Sequence, residues 1–367
     1  MAKLEEVCLL KAGKFVSAND ISPEYNKGLY PCFGGNGIRG YVADYTHDGE
    51  FPLIGRQGAL CGNVNLASGK FHATEHAVVV QPKAEMNVHW LYYALNAMNL
   101  GQYATGAAQP GLAVSKLETL SIEIPNISEQ NKIAQTLYKV EQLVNFRKQQ
   151  LAKLDELVKA RFVEMFGNPK DNKKRWNRVP LKKVAEVRGR VGWKGYKKED
   201  LQESGPLVLG ATHLTENGNI DLSSPVYLSR DKYEESPEIM LHRNDLVFTQ
   251  RGNTIGKVGL VKEDIGEATI NPCVLILRPT NIHPIYLDVY FIMDEVKKDM
   301  WRLNAGSAQP MITQKGISEY LLMLPPIELQ NQFAAFVERV DQQKQTVQQS
   351  LEKLELMKKA LMQEYFG

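Results

Sequence analysis

The chain of 367 residues repeats part of itself at a fixed distance of 200 positions. The string GAAQP at 106–110 returns as GSAQP at 306–310. Residues 106–167 align without a gap on 306–367 with 20 of 62 positions identical, whereas ordinary composition gives about one match in fifteen. Two unrelated amphipathic helices would not share Gln-Pro, Gln-Asn and Phe-Gly pairs. We therefore interpret the chain as an internal duplication, which limits the folds open to it.

Each repeated segment follows a longer stretch whose amino-acid composition and hydrophobic pattern are different. Residues 1 to about 124 and 169 to about 324 are rich in Gly and in β-prone runs such as HAVVVQP and PCVLILRP, a pattern typical of mixed α+β globules. One helix is predicted across Val88–Met98 and one over YLDVYFIMDEVKKDMW. IGRQGALCGNV also corresponds to FTQRGNTIGKV, and LEEV to LKKV. The order is globule, helix, globule, helix.

The two repeated helices are long. They are predicted from about Ser128, as the N-cap, to Phe166, and from about Glu328 to Phe366, which gives roughly 55 to 60 Å each. A heptad seam on each requires a partner helix. The seam residues are Leu137, Val144, Leu151, Val158, Val340, Val347, Leu354 and Leu361.

The duplicate helix is the obvious partner, and antiparallel pairing fits best. A register with Arg147 near Leu351 rather than near Lys358 avoids stacking like charges. The predicted fold is α+β, with two mixed α/β globular domains joined by two long helices in a pseudo-twofold symmetric antiparallel coiled coil. The predicted domains are 1–125, 126–168, 169–325 and 326–367. Alternatively, each helix packs only on its own globule.

Composition limits the setting. Four cysteines without CxxC spacing predict reduced thiols, and the absence of a leader-like start or an apolar run near 18 residues predicts a cytoplasmic protein without membrane contact. The net charge is +2, but residues 170–198 hold 12 Lys or Arg against Asp171 and Glu186. Such a run is found in polyanion binders and also in solvated linkers.

Motifs for catalysis are missing from the sequence. HATEH, His72 to His76, matches a metalloprotease pattern, but it runs into the β-type AVVVQP, and a strand would hold the two His side chains too far apart for one zinc ion. GNTIGKV lacks the spacing and the hydroxyl residue of a phosphate loop. We therefore predict no catalytic residue and no metal site.

Loop residues suited to reading DNA occur in both globules. Arg can bind guanine with two hydrogen bonds, and Asn or Gln can bind adenine in the same way. Each such residue alone is more often a solvated loop residue, but the pairs Arg56-Gln57 and Gln250-Arg251 correspond in inverted order. The candidate DNA-binding residues are Asn36, Arg39, Arg56, Gln57, Asn63, Arg190, Lys194, His213, Gln250, Arg251, Asn253 and Lys257.

At this point the sequence resembles the specificity (S) subunit of a type I restriction–modification system. The tract GSAQPMITQKGISEYLLMLPPIELQNQFAAFVERVD is similar to that family's boundary between recognition domain and helix, and YPCFGGNGIRGYVADYTHDGEFPLIGRQGALCGNV resembles a common first-domain pattern. The first copy departs mildly, since Pro125-Asn126 stands for Pro-Pro. The resemblance covers the whole chain.

The resemblance implies that each globule is a target recognition domain for one half of a split, asymmetric site in double-stranded DNA. The helices would fix the gap and dock two methyltransferase subunits, with restriction and translocase subunits joining through the complex. No cofactor is expected on this chain, because S-adenosylmethionine and ATP belong to those partners. The domain–helix junctions would be turns at Gly106, Gln109, Pro110, Gly306, Gln309 and Pro310.

Two other interpretations stay open from the residues alone. The chain could be a methyltransferase or nuclease with an unrecognised site. It could also be a coiled-coil adaptor that binds no nucleic acid.

Overall fold

A computed structural model describes residues 1–106, 110–190, 195–303 and 310–367. The contacts divide the chain into two compact units. Unit 1 comprises Met1–Lys148 and Gln349–Gly367, and unit 2 comprises Gln149–Gln348. Each unit therefore contains one globule together with parts of both long helices.

Unit 1 is built on one sheet. Its strands are β1 (Ala2–Lys3), β2 (Cys8–Ala12), β3 (Tyr30–Gly34), β4 (Gly37–Val42), β5 (His47–Gly55), β6 (Val64–Ala73), β7 (Ala77–Pro82) and β8 (Ser121–Ile122). Its helices are α1 (Leu4–Val7), α2 (Val88–Ala97), α3 (Val114–Glu118) and the first part of α4 (Ile127–Phe166), with 3-10 turns at Ala18–Asp20 and Leu100–Tyr103.

Six of these strands form the sheet in the order β2-β7-β5-β6-β3-β4, while β1 pairs with β8. The AVVV run of β7 is buried on both faces because β-branched side chains pack well on a covered pleat. The predicted helix over Val88–Met98 is confirmed as α2, whose N-cap Asn87 accepts a hydrogen bond from the Trp90 N–H.

Unit 2 splits its strands between two main sheets. The strands are β9 (Arg178–Pro180), β10 (Ala185–Gly189), β11 (Leu201–Leu209), β12 (Tyr227–Leu228), β13 (Leu246–Thr249), β14 (Val258–Leu260), β15 (Ala268–Ile270), β16 (Val274–Pro279) and β17 (Leu321–Met323). Their described orders are β10-β16-β13-β14, β12-β11-β15 and β17-β9.

The helices of unit 2 are α5 (Arg230–Glu234), α6 (Pro284–Ile292), α7 (Asp294–Arg302), α8 (Gln314–Ser318), the rest of α4 and the first part of α9 (Ile327–Phe366). The 3-10 turns are Leu181–Lys183, Lys198–Asp200, Ala211–His213 and Pro237–Ile239. The single helix predicted over YLDVYFIMDEVKKDMW is wrong, because Met293 adopts an extended conformation (φ −66°, ψ 134°) between α6 and α7.

The long helices are confirmed to within one residue at each start. The predicted cap is wrong, since the Asn126 side chain, not Ser128, accepts the Glu129 N–H (3.0 Å). Helix α4 ends at Phe166, and the φ of +82° at the following Gly167 suits a glycine cap. In the part of the chain that the structure describes, no helix is long and apolar enough to cross a membrane.

A buried glutamine fixes the start of each long helix to its globule. Gln130 accepts the Asn87 N–H at 2.9 Å and donates to the Pro125 carbonyl at 2.9 Å. Gln330 makes the same contacts with the His283 N–H (2.9 Å) and the Pro325 carbonyl (2.7 Å). We call this arrangement the glutamine clasp. It explains why this glutamine recurs in the sequence.

Within each unit the two long helices run antiparallel. In unit 1, Arg147 Nε donates to Ser350 Oγ (3.2 Å) and Lys358 Nζ contacts Glu141 Oε1 (2.6 Å). The predicted register, with Arg147 near Leu351 rather than Lys358, is confirmed. In unit 2, Lys344 Nζ lies 2.5 Å from Asp155 Oδ1.

Most predicted seam residues are buried. Leu137, Val144, Val158, Val340 and Val347 are each less than 9% exposed. Leu151, Leu354 and Leu361 are half-buried, and Leu361 packs against the core of unit 1, while Val158 and Val340 belong to the core of unit 2. The seam therefore continues into both globule cores.

Candidate nucleic-acid interface

A glycine-containing turn has the same backbone structure in both units. We call residues 55–63 the first glycine turn and residues 249–257 the second glycine turn. In the first, the Gly55 N–H donates to Asn63 and the Gly62 N–H donates back to Gly55. In the second, Thr249 and Gly256 make the corresponding bonds, so that Thr249 takes the place of Gly55.

The glycines are required by the backbone. Gly58 and Gly62 have φ of +85° and +90°, and the corresponding Gly252 and Gly256 have +95° and +84°. These left-handed values are costly for residues with a Cβ atom. A Cβ atom added at Gly58 or at Gly252 would meet no neighbouring group within 4 Å, so both turns are open at this point.

The segment after each Gly-x-Ala-Gln-Pro string fastens its glycine turn. The Pro110 carbonyl accepts the Gly58 N–H (3.0 Å), and the Leu112 N–H donates to the Arg56 carbonyl (2.9 Å). Pro310 and Ile312 bind Gly252 and Gln250 in the same way, at 3.0 and 2.9 Å. We call residues 110–112 and 310–312 the junction segments. Each segment thus connects a glycine turn with the helix that follows.

Some of the predicted junction residues fall outside the described part of the chain, namely Gln109, Gly306 and Gln309. Gly106 has φ of +98°, as expected for a turn. Pro110 and Pro310 contribute carbonyl groups to the glycine turns, in addition to the predicted turn.

Four of the predicted residues of unit 1 lie in the first glycine turn or contact it, namely Asn36, Arg56, Gln57 and Asn63. Asn63 Nδ2 donates to Asn36 Oδ1 at 2.7 Å, which joins the turn to the β3–β4 hairpin. The two backbones approach so closely that a Cβ on Gly55 would lie 1.9 Å from the Gly35 carbonyl oxygen. Gln57 is exposed, and so is Arg39 on β4.

Arg56 differs from its neighbour Gln57 because it is half-buried, and its Nε atom lies out of contact with solvent. Its charge acts on the thiol of Cys61 in the same turn. Burial raises the pKa of Cys61, and the Arg56 guanidinium opposes this rise. Arg56 is therefore placed on the inner side of the first glycine turn.

Sequence reasoning missed two exposed aliphatic residues near this site. Ile38 is 56% exposed and Leu60 is 52% exposed, and each lies within three positions of Asn36 or Asn63 in the sequence. An apolar side chain of this kind can contact the methyl group of thymine. The signal available was an aliphatic residue within a glycine-rich polar run.

The second glycine turn carries polar residues that are partly engaged. Gln250 Nε2 donates to the Pro272 carbonyl (2.9 Å). Arg251 NH2 donates to the Met311 sulfur (3.3 Å), a weak acceptor. Lys257 is 18% exposed and lies 2.9 Å from Glu216, while Asn253 is exposed.

Two predicted DNA-binding residues of unit 2 are buried, and the prediction is corrected for both. Arg190 is 8% exposed and donates to the Ile270 carbonyl (3.0 Å) and to Thr269 Oγ1 (3.1 Å). His213 is 5% exposed and its Nδ1 accepts the Gly210 N–H (3.0 Å). Because both side chains form hydrogen bonds with groups inside the globule, they stabilise the globule rather than face a ligand. Lys194 lies outside the described residues.

Part of the basic run 170–198 caps helix α4. Lys174 Nζ donates to the Glu164 and Met165 carbonyls (2.7 and 2.9 Å), and Trp176 Nε1 donates to the Phe166 carbonyl (2.8 Å). A cation at a helix C-terminus is stabilised by the helix dipole. These contacts account for one lysine of the run by structure alone.

The HATEH string spans the end of β6 and the turn before β7, rather than lying within one strand as predicted. His72 belongs to β6, is 8% exposed and approaches the Lys14 carbonyl (3.2 Å), whereas His76 lies beyond the strand, just before β7. Among the described residues, no group of three or more His, Cys, Asp or Glu side chains is placed to hold a metal ion. All four cysteines are free.

Comparison with known proteins agrees with this duplicated architecture. The family described as type I restriction modification DNA specificity domain matches residues 1–156 and 173–356. These ranges cover most of the chain and fall once on each globule with its following helix. The chain belongs to this family.

Individual relatives support the assignment to different extents. A type I restriction enzyme EcoprrI specificity subunit from Escherichia coli is 52% identical over 143 residues, which are 39% of this chain and 36% of the relative. The chain thus matches about a third of that relative's length. A MjaVIII specificity subunit from Methanocaldococcus jannaschii is 23% identical over 333 residues, which are 83% of this chain and 75% of the relative.

A solved structure extends the likeness in fold to the whole chain. The S subunit of a type I restriction–modification system from M. genitalium has a TM-score of 0.63 at 18% identity, with 100% of this chain and 95% of that chain covered. A structure from work on complex assembly and conformational transition of the type I R-M system gives 0.55 at 15% identity, covering 100% and 96%.

Proposed function

We propose that this chain is the sequence-specific DNA-binding subunit of a type I restriction–modification enzyme. Each globule acts as a target recognition domain and reads one half of a bipartite, asymmetric site in double-stranded DNA. The paired helices set the unspecified gap between the half-sites and dock two methyltransferase subunits. The chain itself is non-catalytic.

One observation carries the proposal. Each unit presents an open glycine turn with Arg and Gln side chains, and backbone hydrogen bonds from a junction segment fasten that turn. Such side chains on a rigid loop can read base edges in the major groove. A device that reads two half-sites needs this arrangement twice, and the duplication supplies it.

The chemistry of the complex is assigned to the partners. Methyltransferase subunits bring S-adenosylmethionine and modify adenine, while restriction and translocase subunits bring ATP and join through the complex. Specificity subunits among the relatives motivate this assignment. It agrees with the absence of recognised catalytic motifs from the sequence.

The proposal is tested by co-expressing the chain with its methyltransferase subunits and mapping methylated adenines in cellular DNA. We expect one split motif of two specified halves around a fixed gap. Methylation or cleavage of DNA by the purified chain alone would favour an enzyme. If the chain neither co-purified with a methyltransferase nor bound specific DNA in its presence, the proposal would be abandoned.

The role of the helices has its own test. Insertion of seven residues after Gln150, two helical turns that retain the heptad pattern, should lengthen the gap and leave both half-sites unchanged. An unchanged gap in an active complex would contradict the spacing role. An equal insertion at exposed Gly28, in the turn before β3, should leave the gap as it is.

A further inference from the structure

The two glycine turns can be matched residue by residue, because their backbone bonds correspond. Arg56 and Gln250 hold the same position, since both carbonyls accept an N–H from the junction segment. Gln57 and Arg251 hold the next position, and each forms an isolated bridge with the junction segment, at Gly111 and Met311. The inverted order of Arg and Gln therefore places different residues at one structural position.

The first position of each pair is half-buried, with part of its side chain engaged or covered by the protein. The Arg56 Nε atom is buried. Gln250 Nε2 donates a hydrogen bond to the Pro272 carbonyl at 2.9 Å. Both residues are better suited to hold the turn than to reach a base.

The second position of each pair is fastened through its backbone. Gln57 is exposed. Arg251 directs NH2 to the Met311 sulfur, and this weak acceptor orients the guanidinium, which carries five N–H donors. The following Gly58 and Gly252 open onto free space. A ligand can therefore approach the second position closely.

We infer that Gln57 and Arg251 are the specificity-determining residues of the two glycine turns, and that Arg56 and Gln250 position them. The inference rests on the proposed function and adds a base identity. Gln pairs with the N6 and N7 atoms of adenine, and Arg pairs with O6 and N7 of guanine. Gln57 thus reads an A·T pair in one half-site, and Arg251 reads a G·C pair in the other.

The experiment exchanges the side chains in the complete complex. The full chain and its methyltransferase subunits are purified, and a randomised DNA library is selected for binding. Gln57→Arg should change one A·T pair to G·C in one half-site, with about a tenfold to hundredfold preference, and leave the other half-site unchanged. Arg251→Gln should make the opposite change in the other half-site.

Alanine variants guard against disruption by the larger side chain. Gln57→Ala should relax selection at that single base pair and retain the remainder of the motif. Gln81→Arg is the matched control, since Gln81 is exposed near the end of β7 remote from the first glycine turn, and it should leave the motif intact. Arg56→Met should weaken binding without altering any selected base.

The outcomes separate the inference from the proposed function. If the unaltered complex selects no motif, the proposed function fails. If it selects a split motif and Gln57→Arg and Gln57→Ala both leave every position unchanged, the function stands and the inference is overturned. Loss of selection throughout the half-site in a folded Gln57→Ala protein also overturns it, because Gln57 would then act structurally.

Discussion

The two units retain the same connections but differ in the sheets that they connect. The glutamine clasp, the junction segment and the glycine turn recur bond for bond. Around them, unit 1 has a six-stranded sheet, whereas unit 2 divides its main strands between sheets of four and three. Divergence has therefore spared the clasp at the start of each long helix and the hydrogen bonds that fasten each glycine turn. The clasp and the turn, rather than the sheet, define the repeated device.

The two units also differ in how the long helices pack against the globule core. We expect substitutions in this packing to cause the largest loss of stability. Phe162 is 0% exposed and packs with Phe166, Tyr286 and Phe333, while the corresponding Met362 of unit 1 is half-buried. Phe162→Ala should destabilise unit 2 by about 3–5 kcal/mol, and Met362→Ala should cost unit 1 about half as much. Hydrogen exchange of peptides from each unit measures both. Equal costs would contradict the difference in packing.

A buried carboxyl group should give unit 2 a pH dependence of its own. Burial raises the pKa of Asp288 to about 7, and its Oδ1 lacks a hydrogen-bond partner among the described residues. Because this carboxyl binds its proton more tightly in the folded state, folding stability should fall as pH rises from about 4 to about 7. Asp288→Asn should remove this loss, on the order of 3 kcal/mol above pH 7.

Amide hydrogen exchange in unit 2 is measured between pH 4 and pH 8, and the observed rates are corrected for the pH dependence of the intrinsic exchange rate. Tyr92, which occupies the corresponding place in α2, gives unit 1 no carboxyl there. A parallel pH response in Asp288→Asn protein would contradict the assignment to this side chain.

The glutamine clasp should contribute similarly in both units. Replacing Gln130 or Gln330 with Ala leaves a buried N–H and a carbonyl without their partner, at a cost of about 2 kcal/mol in each unit. Exposed Gln332→Ala is the control. Hydrogen exchange in increasing denaturant gives the free energy of unfolding of each unit. A loss of stability in one unit alone would contradict an equal contribution of the clasp to both units.

The smallest effects belong to the charge pairs between the helices. Lys344 and Asp155 in unit 2 are 24% and 27% exposed, while Lys148 and Glu355 in unit 1 are 55% and 48% exposed. Lys344→Ala should cost about 1 kcal/mol and Lys148→Ala at most about 0.5 kcal/mol, since solvent screens exposed pairs. Thermal unfolding of both variants at two salt concentrations measures these losses of stability. A larger loss for Lys148→Ala than for Lys344→Ala would contradict the prediction.

The sequence could predict the long helices and their register because heptad spacing and the positions of Arg147 and Lys358 carry that information locally. It could also identify the glycine turns from a repeated Gly spacing. It could not predict the burial of Arg190 and His213, because their partners, such as the Ile270 and Gly210 backbone groups, are set by the tertiary fold. The break at Met293 likewise depends on packing, since no Gly or Pro marks it.

Unit 1 is discontinuous in the chain, and this bears on its synthesis. Its globule and the first part of α4 leave the ribosome before unit 2, but the matching part of α9, residues 349–367, emerges only after unit 2. Unit 2 is one continuous stretch. Domains usually fold in the order in which they are made, N-terminal first. Here unit 2 can be complete while unit 1 still exposes the apolar side of a helix, so the nascent chain depends on residues 349–367 to cover the core of unit 1.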